Sequence, residues 1–207
     1  MDKTIIICLM MLMLGLTTEA AAIEPNASVA VMDFGTHEGT ADPDVNLMNA
    51  ERASSEYIIA RLVDSKKLDV MDKDIVSDRI AAEGLNITGL IDPDTAQRLG
   101  KILGVRYLIY GNVVDMVVDF NVETVVKVRT VKCHIVARIM DVETGKILMA
   151  AKGEGKSKSA NVSLDESFFV IGTVKVSQTS VHNALQKAAF NSVDLLIERL
   201  YGRANKK

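Results

Sequence analysis

The sequence predicts an α/β domain in which a mixed sheet is flanked by helices, with elements in the order β-α-β-α-α-β-β-β-α. Three observations favour this class. Short apolar runs alternate with amphipathic stretches in the first half, which is typical of crossover units. A long region of alternating apolar and polar residues follows. An amphipathic helix is predicted at residues 180–201, where it closes the chain.

The composition of this 207-residue chain is that of a globular protein, with 48% hydrophobic and 25% charged residues. The formal net charge of −3 offers no basic surface that would neutralise phosphates. Nucleic-acid platforms also rely on aromatic stacking, and the chain has 5 Phe, 4 Tyr and no Trp. We therefore expect no nucleic-acid partner.

Residues 1–22 are predicted to be a cleaved signal peptide. Lys3 precedes an apolar stretch at residues 5–16, and the three alanines at 20–22 match the small-residue cleavage pattern. This stretch is shorter than the about 20 apolar residues of a membrane-spanning helix. An uncleaved anchor helix is the alternative. Cys8 lies inside the apolar stretch, so it is a poor candidate for a lipid-modified first residue. One domain, residues 23–207, then remains.

The first crossover unit begins with a predicted strand at residues 28–34, which ends at Gly35. A helix is predicted over residues 47–65 from an apolar stripe with helical spacing, formed by Met48, Ala53, Tyr57, Ile58 and Leu62. The polar loop between these elements could attract a cation, although a plain acidic loop is favoured because no metal-binding pattern is complete. Its candidate groups are Asp42 and Asp44, with Glu38 nearby, and the loop also holds His37.

Two further helices are indicated by their end residues. A short strand at residues 68–71 leads to a helix that Asp72 caps, that carries Ile75, Val76 and Ile80, and that Gly84 closes. The next helix has the clearest boundaries of the chain. Asp92 is its cap, Pro93 takes the first helical position, and Gly104 follows its last turn. Its buried side is predicted to consist of Ala96, Leu99 and Leu103.

The β region runs from residue 105 to about 158, with a turn at residues 141–146 in which Gly145 supplies a positive φ. One arm is predicted to place Val114, Met116, Val118, Phe120 and Val122 on a single face, and the return arm does the same with Val131, Cys133, Ile135, Ala137 and Ile139. A second alternating stretch comprises Phe168, Val170, Val174 and Val176. We favour a sheet packed beneath helices over lipid-facing strands, which give the same pattern.

No catalytic, cofactor-binding or metal-binding residues are predicted. None of the three histidines, His37, His134 and His182, has a second ligand at helical spacing, and His182 is expected to be exposed or to cap the last helix. Cys133 is predicted to be a buried strand residue. A Cys133–His134 nucleophile is the alternative, which is disfavoured because strand neighbours point to opposite faces. Residues 152–158 contain a Gly-Glu-Gly-Lys-Ser segment like the tail of a phosphate loop, but Ala150 replaces the first glycine. We expect a solvated strand end there.

The chain resembles the curli production assembly/transport family, the CsgG-type domain. The first strand, first helix and second strand are similar to the opening of that family, and residues 138–148 and 181–200 resemble its strand-turn-strand and its closing helix. The most specific part is Ala96-x-x-Leu99-Gly100-x-x-Leu103-Gly104-Val105-x-Tyr107-Leu108-Ile109-x-Gly111. The resemblance implies a periplasmic α/β domain that forms rings at the outer membrane. Lipoprotein activators of penicillin-binding proteins are a second, related resemblance, and they act as binding modules.

These features together predict an exported, non-enzymatic envelope component, part of a protein-secretion or surface-fibre assembly complex. The expected partners are further copies of the chain and envelope or secreted proteins, and the expected location is the periplasm, with peripheral association at the outer membrane. No cofactor is expected. The alternative is a soluble periplasmic binding module that regulates a cell-wall synthesis enzyme or another envelope protein.

Overall fold

A computed structural model describes residues 26–36, 39–41, 45, 47, 49–85, 91–123, 126–161 and 176–201, without the side chains of residues 120–127 and 159–161. Several predicted features therefore lie outside the described residues. They are the signal peptide, the candidate cation ligands of the first loop with His37, the second alternating stretch up to Val174, and the side chains of Met48, Phe120 and Val122.

The order of elements confirms the predicted fold class. The elements are β1 (Ser28–Val31), α1 (Ala50–Ser65), β2 (Asp69–Val70), α2 (Lys73–Ala82), α3 (Pro93–Leu103), β3 (Tyr107–Glu123), β4 (Val126–Asp141), β5 (Ile147–Asn161) and α4 (Gln178–Tyr201). Within the described residues they form a mixed five-stranded sheet in the order β2-β1-β3-β4-β5. Strand β1 runs parallel to β2 and β3, and β3, β4 and β5 are antiparallel.

The helix ends follow the predicted capping chemistry. The side chain of Asp72 accepts a hydrogen bond from the Asp74 amide at 2.8 Å, and Asp92 accepts one from the Thr95 amide at 2.9 Å. Gly104 ends α3 with φ 68°, a conformation that suits glycine. Helix α1 begins at Ala50 rather than at residue 47, and no side chain caps it.

Helices α1 and α4 cover one face of the sheet. The predicted buried stripe of α4 is confirmed, since Val181, Leu185, Ala188, Ala189, Val193, Leu196 and Leu200 are all buried. On α1 the stripe differs from the prediction, because Ser54 and Ser55 are buried beside Ile58 and Leu62 while Tyr57 is only half-buried. Ser54 tolerates burial because its hydroxyl donates to the Ala50 carbonyl at 2.6 Å.

Helices α2 and α3 cover the other face, over β1 and the first part of β3. The predicted residues Ala96, Leu99 and Leu103 of α3 are fully buried, and they pack with a core that includes Val76, Ile80, Leu108 and Met140. Ile75 instead points outward on α2 and is 47% exposed. The sheet therefore has two separate cores, one on each face.

A β-bulge corrects the predicted alternation on β3. The pairing with β4 shifts between Val113 and Asp115, so Val113 and Met116 are both buried while Val114 is 38% exposed. Beyond the bulge Val118 is buried as predicted. The return arm needs no correction, because Val131, Cys133, Ile135, Ala137 and Ile139 of β4 are all fully buried. The packed-sheet interpretation is therefore correct for these two arms as far as their side chains are described.

Candidate interaction surface

The second face of β3, β4 and β5 continues beyond α2 and α3, and no helix in the described part of the chain covers it. We call it the open sheet face. Its rows follow from the strand register, which sets Asp115 beside His134 and Glu154, and Val117 beside Lys132 and Lys156. It comprises Asp115, Val117, Asp119, Lys132, His134, Lys152, Glu154, Lys156 and Lys158, all half-buried or exposed.

Contacts of the His134 ring and two lysine–carboxylate ion pairs connect the three strands across the open sheet face. The Nδ1 atom of His134 lies 2.5 Å from Oδ1 of Asp115, and its Nε2 atom lies 3.8 Å from Oε2 of Glu154. The Lys156 ammonium lies 2.7 Å from Oε1 of Glu154, and this hydrogen bond lowers the pKa of the Glu154 carboxyl. Lys132 pairs with Asp119. A face of paired charges like this suits contact with water or with a polar protein surface.

The opposite side of β5 packs directly against α4. Gly153, Gly155 and Ser157 are buried there, while Lys152, Glu154 and Lys156 point to the open sheet face. A β-carbon on Gly153 would lie 2.6 Å from the Ser192 amide nitrogen, and one on Gly155 would overlap the Ala184 carbonyl. The expectation of a solvated strand end at residues 152–158 therefore holds for the side chains on the open sheet face and is wrong for the alternate residues, which pack against α4. These glycines serve close helix–strand packing, not phosphate binding.

Side chains of α4 cover the outer edge of β5. Lys187 donates to the Lys156 carbonyl at 3.0 Å, Asn191 to the Glu154 carbonyl at 2.6 Å, and Arg199 to the Ala150 carbonyl at 2.9 Å. An edge strand with unpaired carbonyls can pair with a strand of another chain. These three hydrogen bonds occupy some of the free carbonyls of β5 and so hinder such pairing. Sequence reasoning missed this arrangement, because it depends on the rotation of α4 over β5.

The structure places the two residues of the alternative nucleophile pair, Cys133 and His134, on opposite faces of β4. Cys133 is fully buried under α4, and burial raises the pKa of its thiol to about 12. His134 lies on the open sheet face, so the two side chains of the disfavoured nucleophile pair point apart as expected. His182 is neither exposed nor a cap, because it is half-buried with Nδ1 3.3 Å from the Tyr57 hydroxyl. Among the described residues, no group of three or more His, Cys, Asp or Glu side chains could hold a metal ion.

In the described ranges, every helix is too short or too polar to cross a bilayer.

Comparison with known families gives one match over almost the whole chain. Residues 13–206 match the model of the curli production assembly/transport component CsgG. No curated protein sequence matches the chain significantly.

Several solved structures are similar at low identity. The LpoB C-terminal domain from Salmonella enterica is 17% identical with a TM-score of 0.47, over 71% of this chain and 92% of that one. Lipoprotein GNA1162 from Neisseria meningitidis is 16% identical with a TM-score of 0.44, over 87% and 99%. A PelC variant dodecamer from Paraburkholderia phytofirmans is 12% identical with a TM-score of 0.44, over 88% and 95%.

Proposed function

Because this chain belongs to the curli production assembly/transport family, CsgG, we propose that it is an exported, non-enzymatic envelope component that assembles with copies of itself. In this role the signal peptide at residues 1–22 is removed, and the domain at residues 23–207 works in the periplasm, peripherally associated with the outer membrane. Its partners are envelope or secreted proteins, within a protein-secretion or surface-fibre assembly complex. The observation that carries the proposal is the family match over residues 13–206.

The described side chains support a binding role better than a chemical one. A nucleophile needs a reachable, ionisable group with a base within hydrogen-bond distance. Cys133 is buried with a raised pKa, and His134 is held by Asp115 on the opposite face. On the open sheet face Lys132 pairs with Asp119 and Lys156 with Glu154, at half-buried or exposed positions that another protein could contact.

The open sheet face also favours a second candidate function. Beyond α2 and α3, the strands β3, β4 and β5 have one core face and one charged face, which is typical of a domain that works in water. The alternative is therefore a soluble periplasmic module that regulates a cell-wall synthesis enzyme or another envelope protein. The two candidates share export and protein binding, and they differ in assembly and in membrane association.

Fractionation of cells that express the full chain tests the proposal. We expect a processed protein in the envelope, recovered with the outer-membrane fraction and released by high salt. A chain without residues 1–22 is the matched control and should stay in the cytoplasm. Release entirely by osmotic shock would favour the soluble module. An unprocessed protein in the cytoplasm would contradict both candidates.

A further inference from the structure

Tyr110 carries a buried hydroxyl that has no hydrogen-bond partner. The residue is 3% exposed in the core beneath α3, and its Oη atom is shielded from solvent. The other orphaned side-chain atom in the described part of the chain is Nε of Arg106, whose guanidinium already pairs with Asp141 and Glu143. Buried polar atoms nearly always have a partner, so the Tyr110 hydroxyl indicates a group that binds there.

Arg138 lies beside this hydroxyl. The two residues are directly paired between β3 and β4, so their side chains lie on the same face of the sheet. Burial raises the pKa of the Tyr110 phenol, while the Arg138 guanidinium lowers it and the Asp92 carboxylate raises it. The hydroxyl is therefore protonated at neutral pH and can donate a hydrogen bond.

The guanidinium of Arg138 also has unused hydrogen-bond donors. Its Nη1 atom donates to Oδ1 of Asn112 at 3.1 Å, whereas a guanidinium carries five N–H groups. No residue that the structure describes forms an ion pair with it, although the side chain is half-buried. A partly desolvated cation without a counter-charge favours an anionic ligand.

Lys152 adds a second positive charge at this place. Strand pairing sets Ala150 of β5 beside Arg138, and Lys152 follows two residues later on the same face. Such diagonal neighbours are about 7–8 Å apart, within reach of long side chains. Lys152 is exposed and has no ion pair with a described residue. We call Tyr110, Asn112, Arg138 and Lys152 the Arg138 cluster.

The nearest acids on this face do not neutralise the two cations. The next row along the strands consists of Asp115, His134 and Glu154. Asp115 lies 2.5 Å from the His134 ring, and Glu154 pairs with Lys156 at 2.7 Å. The Arg138 cluster therefore keeps excess positive charge on a chain whose overall charge is negative.

The surroundings favour a carboxylate over a phosphate. Phosphate sites at helix ends use the free backbone amides of the first turn. At α3 the side chain of Asp92 already accepts from the Thr95 amide at 2.9 Å and from its hydroxyl at 2.7 Å. The charge of Asp92 also acts on the Tyr110 hydroxyl, so it repels a doubly charged phosphate more than a singly charged carboxylate. A guanidinium, in addition, matches the two oxygens of a carboxylate.

We propose that the Arg138 cluster binds a carboxylate group of a partner protein. The guanidinium of Arg138 and the ammonium of Lys152 pair with the carboxylate oxygens, and the Tyr110 hydroxyl donates to one of them. Because that hydroxyl is shielded, the ligand reaches it when Arg138 releases Asn112. The inference rests on the binding role in the proposed function and names the chemistry that this role recognises. Side-chain and C-terminal carboxylates are the two sources to be distinguished.

Blocked tripeptides test the proposal by saturation-transfer NMR with the purified chain. Acetyl-Ala-Glu-Ala-amide offers a side-chain carboxylate, acetyl-Ala-Ala-Ala with a free carboxyl end offers a terminal one, and acetyl-Ala-Gln-Ala-amide is the uncharged control. We expect saturable binding of at least one carboxylate peptide and none of the control. Acetate should compete with the bound peptide, and inorganic phosphate should compete more weakly.

Four variants identify the binding residues. Arg138→Gln should weaken binding at least about tenfold, the loss expected for a charge-assisted bond. Tyr110→Phe should weaken it without lowering the melting temperature, because the hydroxyl has no partner in the free protein. Lys152→Gln should weaken it, whereas Lys158→Gln, the same change six residues along β5, should not. Circular dichroism verifies folding, and if Arg138→Gln does not fold, the other three variants decide.

Several results would overturn the proposal. They are binding of neither carboxylate peptide, equal binding of the uncharged control, wild-type affinity in folded Arg138→Gln, and stronger competition by phosphate than by acetate. An equal loss in Lys152→Gln and Lys158→Gln would also contradict it. All of these concern the purified chain, so they leave the proposed export unaffected. An unprocessed protein in the cytoplasm would contradict the proposed function without changing peptide binding.

Discussion

The backbone nitrogen of Ala188 lies 2.5 Å from the position that a β-carbon on Gly155 would occupy. Helix α4 therefore rests directly on the backbone of β5, with no side chain between them. Gly153 makes the equivalent approach one helical turn away, against Ser192. These two glycines let the closing helix lie deep enough to bury Ala184 and Ala188 completely.

Gly155→Ala should destabilise the domain, because the added methyl group forces α4 away from β5. We expect a loss of about 1–3 kcal/mol, the usual cost of overpacking a tight core. Urea unfolding followed by circular dichroism measures it. Lys152→Ala, on the exposed side of the same strand, is the control and should stay within about 0.5 kcal/mol of wild type. Equal effects of both substitutions would contradict close packing at Gly155.

Val118→Arg and Val117→Arg distinguish the two faces of β3. Val118 is 8% exposed and faces the core beneath α4, so an arginine there is an unpaired buried charge that costs several kcal/mol. Val117 is 40% exposed on the open sheet face, where an arginine should change stability by no more than about 0.5 kcal/mol. Thermal melting should show no folded V118R and a native curve for V117R. A native melting curve for V118R together with an unfolded V117R would show that Val117, and not Val118, faces the core.

The thiol of Cys133 should be inert in the folded protein. Burial raises its pKa to about 12, so almost no thiolate exists at pH 8, and α4 blocks access to the sulfur. A thiol-reactive dye at pH 8 should label the native chain at least about a hundredfold more slowly than the chain in guanidinium, where the pKa returns to about 8.5. Rapid labelling of the native protein would contradict this burial.

Asp92 should stabilise α3 in a pH-dependent way. Hydrogen bonds from the Thr95 amide and hydroxyl lower the pKa of its carboxyl below the ordinary value. The stabilisation is therefore present above the unfolded pKa, near 4, and is lost as the pH falls through the lower folded value. Asp92→Ala should lower the stability at pH 7, because the hydrogen bonds of the helix cap are lost. Asp92→Asn keeps a capping side chain without the charge, so most of this stability should remain and vary less at acid pH. If Asp92→Ala and Asp92→Asn lose the same amount of stability at pH 7, the Asp92 side chain does not act as a helix cap.

Much of this fold could be predicted from local signals. Asp72, Asp92, Pro93 and Gly104 mark helix boundaries through chemistry that acts within a few residues, and the stripe of α4 has a regular period. The bulge after Val113 could not be predicted, because an extra residue in one strand can be recognised only when its pairing with the neighbouring strand is known.

The interaction surface was less accessible to sequence reasoning. Which charges meet depends on the register of three strands, so the contact of His134 with Asp115 and its proximity to Glu154 had no local signal. The glycines at 153 and 155 were expected in a solvated strand end, since the sequence could not show that α4 would pack on them. His182 was misplaced for the same reason, because its Tyr57 partner lies 125 residues away.

Assembly of the wild-type chain is the most direct test of the central claim, that this family member works as an oligomeric envelope component. Light scattering of the exported protein at micromolar concentration, with and without detergent, gives the mass of the particle. We expect one species of several chain masses that dissociates as salt rises, because screening weakens exposed charge pairs. The mass of one chain under every condition would contradict the account.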